Sequence, residues 1–85
     1  MPRMLMPRLH FNEEVGRVIK SHRLQRGRTQ LDVAKEIGLS TSSYAAIEEG
    51  KGCNLHIAAK LAEAFDVTLD DIAPVSAMIV PDLTG

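Results

Sequence analysis

A chain of 85 residues, 45% hydrophobic and 25% charged, is sized for one small globular domain and is too apolar for a disordered one. A single cysteine, Cys53, excludes an internal disulfide, and His10, His22 and His56 are too scattered for a zinc site, so a reducing compartment and neither metal nor cofactor are expected. The net charge of −1 divides unevenly: residues 1–30 hold seven Lys/Arg against two acids (+5), and residues 31–85 hold three Lys against nine acids (−6).

Residues 1–11 read as an N-terminal arm, because prolines at 2 and 7 oppose a regular helix, and they lack the apolar stretch of a secretory signal. Asn12 reads as a helix N-cap, followed by Glu13 and Glu14 in the first turn. Val15, Val18, Ile19 and Leu24 then form the apolar face of a helix over about 13–26, which Gly27 ends. Thr29 caps a second helix, with Asp32 three residues on in a variant of the capping box. Val33, Ala34 and Ile37 line its inner face, and Gly38 stops it. Ser40 caps a third helix (about 40–49), with Tyr44 and Ile47 turned inward and Gly50 at its end. Asn54 caps a fourth over 55–65, with Leu55, Ala58, Leu61, Ala62 and Phe65 on one stripe. Thr68 caps a short fifth over 69–72, and Pro74 ends the helical part. The domain is therefore expected over 12–73. In the tail, 74–85, the apolar run at 76–80 has two readings. It is a strand paired with a second copy through Val75, Met78, Ile79 and Val80, or a tail packed on its own core.

The stretch at 29–52 carries the most information. Two short helices meet at a tight turn in which Gly38 can take a positive φ at no steric cost. With Tyr44 and Ile47 buried, the opposite side of the third helix is free to enter a groove about 12 Å wide. Gly16, Arg23 to Gly27, Thr29-Gln30, Val33-Ala34, Ile37-Gly38, Ser40, Ile47-Glu48 with Gly50-Lys51, Leu61-Ala62 and Val67 with Leu69 carry a resemblance over about two-thirds of the chain. The stretch from Val15 to Ile72 resembles the Cro/cI-type (XRE-like) helix-turn-helix family.

The resemblance implies an all-α, five-helix, lambda-repressor-like DNA-binding domain with the third helix as its reader. Gln30 would hold backbone phosphate beside Thr29. Ser40, Thr41, Ser42, Ser43 and Ala46 would face bases, and Lys51 with the Gly52 amide would touch phosphate. Arg23 and Glu48 would form an ion pair joining the first helix to the third. Three features depart from the family. The segment TSSYAA has no Arg, Lys, Gln or Asn for bidentate base contacts. Arg28 stands where an apolar residue is usual, and the KGCN loop lacks the usual proline.

Beside Gln30, the residues Arg17, Lys20, Arg26 and Arg28 read either as a phosphate-binding stripe or as a solvated helix face. Arg3 and Arg8 read as a minor-groove arm or an unstructured start. Cys53 reads as a structural thiol ahead of a redox sensor. No His/Asp partner serves the hydroxyls of 40–43, so no enzyme is expected.

The expected function is sequence-specific binding of double-stranded DNA as a homodimeric repressor. Such a dimer works in the cytoplasm of a bacterial, phage or plasmid system and reads palindromic half-sites roughly 34 Å apart. Two alternatives stand beside it: an antitoxin-type protein that also binds a protein partner, and an adaptor that has given up DNA. No membrane association is expected.

Overall fold

Four of the five helices sit where short-range signals put them. The computed structural model describes residues 8–73: α1 (Arg8–Gln25), α2 (Gln30–Ile37), α3 (Thr41–Ala46), α4 (Leu55–Phe65) and α5 (Leu69–Ile72). α3 runs on into a π-type turn at Ile47–Lys51. No strand occurs among the described residues, and none of their helices is long and apolar enough to cross a membrane. The candidate strand residues Val75, Met78, Ile79 and Val80 lie outside the described residues, as does Arg3.

The caps follow their chemistry. Thr29 Oγ1 accepts the Asp32 N–H at 3.0 Å while Asp32 Oδ2 accepts the Thr29 N–H at 3.1 Å, a reciprocal capping box. Thr68 and Asp71 repeat it at α5. Ser40 and Asn54 cap α3 and α4 through single side-chain acceptors. Gly38, at φ 79° and ψ 27°, closes α2 in the left-handed region and turns the chain into α3.

α1 departs from expectation. It begins at Arg8 rather than after Asn12. Phe11, assigned above to the arm, packs against the core. Asn12 is no cap; it lies against Gly52, where an added Cβ would come within 2.8 Å of its Nδ2. The inward face of α1 consists of Val15, Gly16, Ile19 and Arg23, all buried. Leu24, one residue off that face, is 57% exposed, and Leu55 is likewise outside the core at 63%.

The core gathers Ile19, Val33, Ala34, Ile37, Tyr44 and Ile47 with Leu61, Phe65 and Ile72 of the last two helices. α1 crosses the π-type turn so closely that Gly16 abuts its backbone. A Cβ at 16 would lie 2.5 Å from the Ile47 carbonyl oxygen and 2.7 Å from that of Glu48. That contact fixes α3 against α1, and α2 then sets the angle at which the outer face of α3 is presented.

Candidate nucleic-acid interface

The site is built outward from a buried charge cluster. Arg23 of α1 donates through Nε to Glu48 Oε2 at 2.7 Å and through Nη2 to Oε1 at 3.1 Å. The two side chains are only 9% and 3% exposed. Arg23 Nη1 also donates to the Arg28 carbonyl at 2.9 Å. The Tyr44 hydroxyl donates to Glu48 Oε2, and Gln30 Nε2 donates to Oε1 at 3.0 Å. The carboxylate thus accepts four hydrogen bonds, from α1, α2 and α3, which compensates its desolvation.

Burial pushes the Glu48 carboxyl up, but the hydrogen bonds from Arg23, Tyr44 and Gln30 outweigh it and hold it below the ordinary 4.5. Burial first, then the bond to Glu48, pushes the Tyr44 phenol up. Asp32 and Asp71 are held below the ordinary 3.8 by the backbone N–H and hydroxyl of Thr29 and Thr68. All three carboxyls have depressed folded-state values. Their stabilisation is therefore full above the unfolded values and is lost as pH falls through the lower folded ones. Urea unfolding midpoints are expected to fall steadily below about pH 4.5, and Glu48→Gln is expected to flatten that fall while lowering the midpoint at pH 7.

The face of α3 opposite Tyr44 and Ile47 is open. Ser40, Thr41, Ser42 and Ser43 are exposed, and Ala46 is half-buried. Ser40 and Ser43 are partly engaged with each other: Ser40 Oγ accepts the Ser43 N–H at 3.1 Å and its hydroxyl donates to Ser43 Oγ at 2.9 Å. Ser42 Oγ also lies 3.4 Å from Ser40 Oγ, so Thr41 carries the most available hydroxyl of the four. Gln30, half-buried in the first turn of α2, is tied through its amide to Glu48, just past the end of α3. Lys51 is exposed just past Gly50, whose φ of 100° breaks the helix.

The sequence profile of a helix-turn-helix family matches residues 19–72, more than half of the chain. The chain belongs to this helix-turn-helix family. An uncharacterized HTH-type transcriptional regulator of Methanocaldococcus jannaschii is 40% identical to it over 55 residues, 64% of this chain and 83% of that protein. No solved structure matches the chain.

Within the helix-turn-helix unit, α2 and α3 are the paired helices and Gly38 is the turn. The basic residues around it are mostly turned to internal work, which sequence reasoning left open. Arg17 pairs with Glu14 at 2.6 Å on the surface of α1. Arg28 neither packs like the apolar residue usual there nor stands free, since its guanidinium meets Glu36 at 2.6 Å. Arg26 reaches across to α4: Nη2 donates to the Phe65 carbonyl at 2.7 Å and Nη1 to the His22 carbonyl at 2.8 Å. Its guanidinium lies 5.3 Å from the centre of the Phe65 ring, on which His22 also stacks. Arg26 so satisfies a carbonyl in the last turn of α4 that has no helical partner. Cys53 is half-buried, and burial pushes its thiol up, away from reactivity.

Proposed function

We propose that this domain binds double-stranded DNA and regulates transcription, with α3 in the major groove and the start of α2 on the backbone. The observation that carries this reading is the open face of α3, which has short side chains and has no part in the core. The name of the archaeal relative, an HTH-type transcriptional regulator, supports it. Ser40, Thr41, Ser42, Ser43 and Ala46 read the groove through hydroxyls and methyl contacts, and DNA shape supplies the remaining discrimination. Thr29, Gln30, Lys51, Arg17 and Arg28 hold the backbone, the last two by exchanging their carboxylate partners for phosphate. A single reader of this size contacts few base pairs. The working form is therefore a homodimer on a palindromic operator, joined through Val75, Met78, Ile79 and Val80, and it represses by covering a promoter.

The test is a footprint and a sedimentation measurement on fragments taken from upstream of the gene. Wild type is expected to protect two half-sites about one helical turn apart as a dimer, and Ser42→Arg is expected to shift the preferred sequence toward guanine. Because Arg23 and Arg26 are held within the fold, Arg17, Arg28 and Lys51 are the cations that meet phosphate, and the log–log salt slope should be about −3 per subunit. Lys51→Ala should reduce that slope by about 1 while weakening all sequences alike. A folded wild type with no salt-sensitive binding to any fragment defeats this reading and points to a protein partner instead.

A further inference from the structure

We propose that Glu48 is a positioning residue for DNA binding: it locks the carboxamide of Gln30 so that one N–H is aimed at the backbone phosphate. This inference rests on the DNA-binding reading above. A carboxamide carries a donor end and an acceptor end, and a phosphate oxygen takes only donors. A glutamine free to turn presents its carbonyl oxygen part of the time, and that orientation repels phosphate.

Here the choice is removed. Gln30 Nε2 lies 3.0 Å from Glu48 Oε1. A carboxylate is an acceptor only, so the flipped amide would set two oxygens against each other. The carboxylate cannot move aside, because both nitrogens of the Arg23 fork and the Tyr44 hydroxyl hold it and its side chain is almost fully buried. The amide nitrogen has two hydrogens. One is spent on Glu48, and the second diverges from it by about 120° in the amide plane.

Gln30 opens α2 and is half-buried, so this second N–H stands at the helix start together with the main-chain N–H groups of the first turn that lack helical partners. The same carboxylate holds Tyr44 of α3. The backbone contact of α2 and the orientation of the reading helix therefore share one anchor, and loss of Glu48 disturbs phosphate binding through Gln30.

The proposal is tested in two steps on the full chain. Side-chain amide NMR of wild type should show one Gln30 Hε2 proton shifted and slow to exchange. In Glu48→Gln, whose side chain keeps only one acceptor oxygen, this protection should weaken. Affinity is then measured by anisotropy on the protected fragment with Gln30→Leu, Glu48→Gln and the double variant, each shown folded by circular dichroism. Each single change should weaken binding about tenfold, and the double should be no weaker than either. Losses that multiply to about a hundredfold, or a folded Glu48→Gln with wild-type affinity, overturn the proposal. An unrestrained Gln30 amide in a wild type that binds DNA overturns it alone. A wild type that binds no duplex overturns the DNA-binding reading and this proposal with it.

Discussion

Glu48→Ala is expected to lower the unfolding free energy by about 3–5 kcal/mol, since it strands the buried Arg23 guanidinium without its counter-charge. It also leaves the Tyr44 hydroxyl and the Gln30 amide without their acceptor. For a domain whose whole stability is of order 5–15 kcal/mol, this is a large share, and thermal melts should show partial unfolding near physiological temperature. The energy lies in the imbalance rather than in the pair itself. Replacing both partners with apolar residues of similar volume, Arg23→Met with Glu48→Leu, is expected to recover most of the loss. Urea titrations of the single and double variants check this. Equal losses in both would show that the four-bonded network, and not the orphaned charge, sets the cost.

Gly16→Ala is expected to cost about 3 kcal/mol, at the upper end of the range for overpacking. In an unconstrained helix the same change gains up to about 1 kcal/mol from helix propensity, so even the sign is diagnostic. At position 16 the new methyl meets two main-chain carbonyl oxygens, at 2.5 Å and 2.7 Å, and neither can rotate away as a side chain would. α1 must lift from the π-type turn, which also pulls Arg23 from Glu48. Denaturant unfolding, with hydrogen exchange at Ile47 to Lys51, reads both consequences. A neutral or stabilising Gly16→Ala would mean that the close approach is not held in solution.

What the sequence made legible is what local chemistry decides. Thr29 with Asp32, Ser40, Asn54 and Thr68 each announce a helix start within four residues, and Gly38 announces the turn between α2 and α3. The start of α1 was misplaced because two local signals pointed the same wrong way. The prolines at 2 and 7 read as keeping all of 1–11 out of a helix, although α1 already starts at Arg8, and Asn12 reads as a cap although Gly52 makes room for it as a packing residue. The amphipathic reading of α1 also chose Leu24 over Arg23, because no periodicity argument buries an arginine whose partner lies 25 residues on. The role of Arg26 was out of reach for the same reason: its acceptor is 39 residues away. The turn at Ile47–Lys51 has a faint signature in Gly16 and Gly50, which mark close backbone approach and reversal, but neither specifies how the chain is wound there.

Thr41 and Ser42 face outward and have no part in the core, while Tyr44 and Ile47 do the packing of the same short helix. If α3 is the reader proposed above, stability and readout rest on different residues of one element. A lineage carrying this domain can rewrite those outer positions without first accumulating compensating changes in the interior. On the DNA-binding reading, new operators are then reachable by single substitutions from a nearly blank starting surface, and each intermediate remains a folded protein on which selection can act.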